Sequence, residues 1–515
     1  MNDQSADAII IGSGIGGLTA AAALAKCGRR VLVLERHFQL GGLTQAFARG
    51  EYSFATGVHY IGGVGGEPGQ DGQFGRMLDW LSDGRLRFAP VGSPYDIVRF
   101  PGFEFPIEAP RDAFVARLKS TFPEDLAAID AWFATCSEAQ RALQWVFTSR
   151  SLPAPLGVAL GWLNKARFRR ALAATVADAI RAILDPRLAA LLAARWGDYG
   201  VPPARAPLAV HAMVLGSYFA GAYYPVGGPA QFALALAESI RAAGGELRVD
   251  AGVTGILLAD GHAAGVHLAS GESIAAPVVI SDMGARNTVA ALPSDVAPDW
   301  RTAVESLQSG ISYVSLFIGF HGDIRGCGAT SANVWVYESD EVSRLWGRPT
   351  EEDAPALFVT FPSLKDPAHT KAQRHTAEVV AFARWEPFAA WAGSAPGRRP
   401  EEYAAAKSWI SENMLAQFKR HFPELAPLVD FHELSTPLSQ ATFVGAHRGA
   451  AYGIELSAER LGSDALGVRT PVPGLFLAGQ DAMSPGVQGA FMGGFAAAAA
   501  VDPRLWKEMA MRARG

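Results

Sequence analysis

One stretch limits what this chain can fold into more than any other: Asp7-Ala-Ile-Ile-Ile-Gly12-Ser-Gly14-Ile15-Gly16-Gly17, followed by an alanine-rich segment and Arg30-Val-Leu-Val-Leu-Glu35. It reads as strand, glycine turn, helix, second strand and acidic residue, the opening of a parallel sheet that binds a dinucleotide. Gly12 allows the tight turn, Gly14 lets the backbone approach a pyrophosphate, and Gly17 lets the helix pack close to the strand. The helix is expected over 15–27, opening with Ile15 and Gly16, and its free N–H groups and dipole favour an anion. Glu35 is placed to accept hydrogen bonds from an adenosine ribose. In a chain with 55 glycines the GxGxxG pattern alone would say little, so the weight rests on the flanking strands and Glu35.

Glu35-Arg36 is followed by Gly41-Gly42-Leu43. This resembles the extended fingerprint of the two-dinucleotide-domain flavoproteins, the glutathione-reductase-like FAD class. Arg36 alone would suit the 2′-phosphate of NADP, but Glu35 beside it argues for FAD.

A length of 515 residues implies two to three domains, and 49% hydrophobic with 18% charged residues describes a large interior. The formal net charge of −5 gives no reason to expect a nucleic-acid partner. Cys27, Cys136 and Cys327 lie far apart without CxxC spacing, so neither a disulfide framework nor a metal site is expected and a reduced cytoplasmic compartment is the default. The first strand at Asp7 leaves no room for a signal peptide, and no apolar run reaches bilayer-spanning length.

Beyond the first unit, Gly57-Val-His59-Tyr60-Ile-Gly-Gly63 ends a strand-like piece in a glycine-rich loop. Residues 86–110 read as short strands and 111–220 as helices. Tyr224-Pro-Val-Gly227-Gly228 precedes an amphipathic helix, after which turn signals at Asp260-Gly261 and Ser270-Gly271 predict a small antiparallel meander. Near the end, Gly474-Leu-Phe-Leu-Ala-Gly479-Gln480-Asp481 reads as a buried strand entering a glycine turn, and Gly486-Val487-Gln488-Gly489 starts an alanine-rich helix.

Together the first and last motifs, Thr56-Gly57-Val58-His59-Tyr60-Ile61-Gly62, and Phe443-Val-Gly-Ala-His-Arg448-Gly-Ala-Ala-Tyr452-Gly453 resemble the phytoene desaturase, carotenoid isomerase and retinol-saturase-like superfamily over nearly the whole chain. The resemblance implies an α/β fold: a Rossmann-type FAD-binding domain of the amine-oxidase and GDI type, with an inserted α+β substrate domain. Residues 1–85, 226–290 and 440–515 would form the first, and 86–225 with 291–439 the second. It places the adenine against the backbone of Val253, and Gly479, Gln480 and Asp481 near the ribityl chain and pyrophosphate. The amides of Val487 and Gln488, just after Gly486, can face the flavin pyrimidine edge and stabilise the charge collected on reduction.

His59 and Tyr60 are the candidates to donate a proton or orient a substrate, with Arg448 and Tyr452 as further candidates. The aromatic residues of the insert, among them Trp132, Phe147, Trp196 and Tyr218, suit a hydrophobic substrate channel. Over 140–172, Trp145, Phe147, Arg150, Leu152, Leu156, Leu160, Trp162, Lys165, Arg167, Phe168, Arg169 and Arg170 suit either a peripheral membrane patch or a solvated basic helix.

The expected reaction is FAD-dependent oxidoreduction at a carbon–carbon double bond of a carotenoid- or retinoid-like polyene, with reduction favoured over desaturation or cis/trans isomerisation. The alternatives are an amine-oxidase-like flavoenzyme and a non-catalytic, GDI-like lipid escort. The electron donor or acceptor is not read from the sequence.

Overall fold

Apolar runs without alternation become strands covered on both faces, and Ala8–Ile11 (β1) and Val31–Leu34 (β2) are buried throughout. Between them runs helix α1, Ile15–Lys26. In chain order there follow strands β3, Asp96–Phe100, and β4, Phe103–Ile107, then helices α2, Leu126–Ser151, and α3, Leu208–Ser217. Strands β5, Glu246–Arg248, and β6, Val279–Ser281, come next. They are followed by β7, Ser312–His321, β8, Asn333–Tyr337, β9, Ala356–Thr360, β10, Arg374–Ala383, and β11, Val429–Ser435. The chain closes with β12, Leu475–Leu477, α4, Gly486–Val501, and α5, Arg504–Arg514. This computed structural model describes residues 6–65, 72–151, 159, 171–344 and 353–514.

Two sheets organise these elements. The first has five strands in the order β12-β6-β1-β2-β5, all parallel, drawn from both ends and the middle of the chain. The second has seven, β11-β7-β10-β9-β8-β3-β4, antiparallel except where β8 runs parallel to β3. The antiparallel meander expected after residue 250 forms from Val253–Ala259, His262–Leu268 and Ser273–Ala275.

The two glycine-bearing helices cross with their backbones in contact. A Cβ on Gly494 would lie 2.0 Å from the Gly16 carbonyl oxygen, and one on Gly493 would lie 2.2 Å from that of Gly479. Glycine inside a helix costs about 1 kcal/mol relative to alanine. It is kept here because any side chain would force α1 and α4 apart. Ala20–Ala23 and Ala496–Ala499 continue the contact as small, buried residues, 0–3% exposed.

Candidate functional site

The glycine turn sits between β1 and α1. Gly12 has φ +95°, in the left-handed region, and a Cβ on Gly17 would lie 2.1 Å from the Gly12 oxygen. Helix α1 starts after Gly14 with no side-chain cap from its N-cap residue and no acidic residue in its first turn, which leaves the start of the helix suited to an anion. Ile15 is buried in the core beside Gly16.

Glu35 closes the turn from the second strand. Its Oε2 accepts the Ser13 N–H at 2.9 Å and the Ser13 hydroxyl at 2.6 Å, and its Oε1 accepts the His37 N–H at 2.8 Å. Gly41 (φ +118°) donates its N–H to Ser13 Oγ at 3.0 Å, and a Cβ on Gly42 would lie 3.3 Å from the Gly14 Cα. The second glycine pair therefore leans on the first turn. Arg36 donates from Nη2 to the Thr442 carbonyl at the surface, and Val253 is a half-buried strand residue paired with Leu268.

Sequence reading gave no notice of Asp282, which follows β6. Its carboxyl oxygens crowd the places where Cβ atoms on Gly14 and Gly16 would stand, each at 2.5 Å. Burial pushes this carboxyl up to about 7; a hydrogen bond from the Gly17 backbone opposes the shift, and the charges of Glu35 and Asp481 add to it.

At the far end of the chain, Gly479 has φ +74° and Gln480 follows it into the turn after β12. Both oxygens of Asp481 are engaged: Oδ1 accepts the Ile454 N–H and Oδ2 the Ala285 N–H, each at 2.9 Å. The side chain thus ties three segments together. Buried Arg460 does the same from the other side, donating to the carbonyls of Ile454, Gln480, Asp481 and Met483. The turn they hold delivers Gly486 (φ +81°) to the start of α4, which has no side-chain cap. A cradle of left-handed glycines leading to two uncapped helix starts fits a flavin dinucleotide.

Val487 and Gln488 line a cavity of about 1000 Å³. Gly63 reaches this wall, since a Cβ there would lie 3.5 Å from Gln488 Oε1. The same cavity is lined by Leu43, by His59 and Tyr60, by Trp196 and Tyr218, and by Trp335 and Phe358 of the seven-stranded sheet. Exposed Gln144 and Thr148 on α2 mark where it meets solvent, and Phe147 with Trp506 and Met509 of α5 adds apolar surface.

His59 and Tyr60 share the cavity but differ chemically. His59 Nδ1 lies 2.7 Å from Oε2 of Glu378, a carboxylate on β10 whose Oε1 accepts the Ala55 N–H at 2.5 Å. The Tyr60 hydroxyl donates to Asp96 Oδ2 at 3.2 Å and accepts from Arg195 Nη2 at 2.9 Å. Burial pushes that hydroxyl far above its ordinary range, so it stays neutral and engaged.

Around them lies a buried charge network. Arg195 pairs with Asp96 and, at 2.7 Å, with Asp198, whose carboxyl burial raises to about 6 against the pull of Arg195. Lys365 donates to the His59 carbonyl at 3.0 Å, to Thr360 Oγ1 at 2.6 Å and to Asn333. Burial lowers Lys365 to about 7, opposed by Asp96 and Glu378. Tyr452 lines the cavity and donates to the Gly197 carbonyl at 3.1 Å, whereas Arg448 is outside the lining and pairs at the surface with Glu386.

Glu378, Lys365, Asp96, Arg195 and Asp198 carry no motif. The clearest signal is that of Glu378, a lone charge in apolar company in Thr376-Ala-Glu378-Val-Val-Ala. Of the stretch expected to meet a membrane, 152–158 and 160–170 lie outside the described residues, and with them Leu152, Leu156, Leu160, Trp162, Lys165, Arg167, Phe168, Arg169 and Arg170. Among the described residues no helix is long and apolar enough to cross a membrane, and no group of three or more His, Cys, Asp or Glu is placed to hold a metal ion.

A family model described as an NAD(P)-binding Rossmann-like domain matches residues 10–79. The chain is 33% identical to the all-trans-retinol 13,14-reductase of Rattus norvegicus, over 97% of this chain and 86% of that one. It belongs to the carotenoid and retinol-saturase-like superfamily of FAD oxidoreductases. Within that superfamily it is also 28% identical to the chloroplastic prolycopene isomerase of Arabidopsis thaliana, over 87% of this chain and 74% of that one. Its fold is similar to that of cyclohexylamine oxidase from Brevibacterium oxydans, with a TM-score of 0.63 and 19% identity over 98% and 100% of the two chains. Membership makes the protein a flavin-dependent oxidoreductase with an α/β nucleotide-binding fold and a sheet-rich second region.

Proposed function

We propose that the chain is an FAD-dependent saturase that reduces a carbon–carbon double bond of a retinoid- or carotenoid-like polyene. The observation that carries this reading is the single cavity shared by the uncapped start of α4 and by His59, walled with aromatic rings. Supporting it is the likeness, over nearly the full chain, to a protein named for reduction of a retinol double bond.

In this reading Gly12–Gly17, Glu35 and Gly41–Gly42 hold the nucleotide half of FAD, the Val253 backbone its adenine, and the segment from Gly479 to Gln488 its flavin half. Residues 1–85, 226–290 and 440–515 form the cofactor unit; 86–225 and 291–439 form the substrate unit. FAD held by these residues would, once reduced, supply hydride chemistry at one carbon of the double bond. Tyr218, Trp335 and Phe358 exclude water and hold the polyene, and His59 delivers a proton to the neighbouring carbon. Tyr60, tied to Asp96 and Arg195, shapes the wall instead. Tyr452 orients the substrate beside it.

The test is anaerobic incubation of light-reduced protein with all-trans polyenes, followed by mass analysis of the product. A gain of two hydrogens is expected. An unchanged mass with altered chromatographic retention would replace reduction by isomerisation, the reading favoured by the likeness to prolycopene isomerase. Release of FAD on denaturation, identified by its mass, checks the cofactor; Gly14→Val is expected to abolish it.

The same reading places the protein at the cytoplasmic face of a membrane, where an apolar substrate collects. Within the described part of that stretch, Trp145 on α2 is exposed. Trp145→Glu should weaken co-flotation with anionic vesicles, and flotation equal to that of the wild type would remove the contact.

A further inference from the structure

The imidazole of His59 is gripped from one side. Nδ1 lies 2.7 Å from Glu378 Oε2, and no described residue pairs with Nε2. The side chain is 17% exposed, on the cavity wall. Glu378 is 0% exposed, and its other oxygen is fixed by the Ala55 N–H. This carboxylate can neither swing into the cavity nor turn away from the ring. Lys365 clamps the backbone of the same residue through the His59 carbonyl, and the Phe358 ring packs 5.2 Å from the imidazole centroid. An ionised carboxylate only accepts hydrogen bonds, so the proton between Glu378 and His59 belongs to Nδ1, and Nε2 is the nitrogen that exchanges a proton with the cavity.

We infer that Glu378 is the positioning residue of the reduction: it keeps a proton on Nδ1 of His59 and fixes the ring so that Nε2 faces the cavity, making Nε2–H of the protonated ring the group that protonates the substrate. This rests on the proposed role of His59 as proton donor. In the step, the hydride brings an electron pair to one carbon while the π pair takes the Nε2 proton at its neighbour. One π bond is lost and two C–H bonds form. Reduced flavin would supply the two electrons, and the ring is left as neutral imidazole with Nδ1–H still on Glu378. Solvent returns the proton and an external two-electron donor the electrons, light-reduced flavin serving in the test.

Several other charges face this pair. They are Asp198 on the cavity wall with its partner Arg195, Lys365 behind the His59 carbonyl, and Asp96 through Tyr60. Removing the Glu378 charge leaves these in place, which makes the isosteric Glu378→Gln the informative variant.

The experiment follows reoxidation of light-reduced protein by a polyene across pH, together with ¹⁵N signals of labelled histidine, His59 being assigned by its loss in His59→Gln. His59→Gln is expected to slow reoxidation about 10²- to 10⁴-fold with flavin content unchanged. Glu378→Gln is expected to slow reoxidation about 10- to 100-fold with flavin content unchanged and to alter the ¹⁵N tautomer signals of His59, since a neutral amide can donate to the ring as well as accept from it. Combined with His59→Gln it should add nothing. In the wild type the Nδ1 signal should be that of a protonated nitrogen. An unprotonated Nδ1 in the wild type overturns the inference even if Glu378→Gln does not fold. A wild-type rate and wild-type ¹⁵N signals in Glu378→Gln, with His59→Gln still slow, overturn it and leave the proton-donor reading standing. Wild-type rates in His59→Gln overturn that reading as well.

Discussion

On the side of the five-stranded sheet the site is built from backbone. The Gly12–Gly17 turn, the Gly41–Gly42 turn and the Gly486 start of α4 present N–H groups and left-handed angles, and side chains such as Glu35, Asp481 and Arg460 serve mainly to tie that backbone down. On the side of the seven-stranded sheet the site is built from side chains. His59, Glu378, Lys365, Asp96 and Arg195 come from separate segments and meet in one buried polar network beside the cavity. In the first region a Cβ on Gly14, Gly16, Gly17 or Gly494 would meet another atom at 2.5 Å or less. The second can change its chemistry through one charge while the chain path stays the same.

The heaviest test of this contrast is Gly494→Val. With the Cβ position 2.0 Å from the Gly16 oxygen, the helix crossing must open, at a cost of several kcal/mol. Soluble protein is expected to be scarce and without bound flavin, and a yellow, normally melting variant would break the claim that backbone contact carries this region. Next is Arg195→Met, which leaves Asp96 and Asp198 buried without their cation. A loss of about 3–5 kcal/mol in denaturant unfolding is expected, with flavin retained in the folded fraction. Flavin loss there at full stability would mean that the two regions cannot be separated.

Asp282 tests the backbone region by pH. Its folded value, raised to about 7, means that its contribution to stability is fully present below the ordinary carboxylate range and is lost as pH rises through 7. Asp282→Asn should therefore melt higher than the wild type at pH 8 and level with it near pH 4. The difference grows by up to roughly 1.4 kcal/mol per pH unit across that interval. Equal melting at both pH values would show that Asp282 is not held in its neutral form. The smallest effect belongs to Arg248→Ala: the arginine pairs with Glu246 and Glu272 at the surface, and a change within about 0.5 kcal/mol marks the background against which the others are judged.

The contrast also explains what the amino-acid order revealed. A turn with φ near +95° and a helix start open to an anion need glycine at particular neighbouring positions, so Gly12, Gly14 and Gly17 are visible as a local pattern. The helix expected at Gly486 and the meander after residue 250 were legible for the same reason, since their signals lie within a few residues. His59 and Glu378 are 319 positions apart and meet only because β10 runs beside the segment that ends β1's half of the molecule in its glycine loop. No local period encodes that meeting. Tyr60 looked equivalent to His59 in the chain, and only the engagement of its hydroxyl by Asp96 and Arg195 separates them.

The crossing of α1 and α4 sets a timetable for synthesis. The face of α1 that carries Gly16 is complete after Lys26, but the helix it must touch begins at Gly486, some 460 residues later. At roughly 5–20 residues per second the ribosome takes on the order of half a minute or more to supply it. For that time the Gly16 face of α1 stands without its cover, and binding by holding chaperones during translation is expected of a helix whose partner lies so far along the chain.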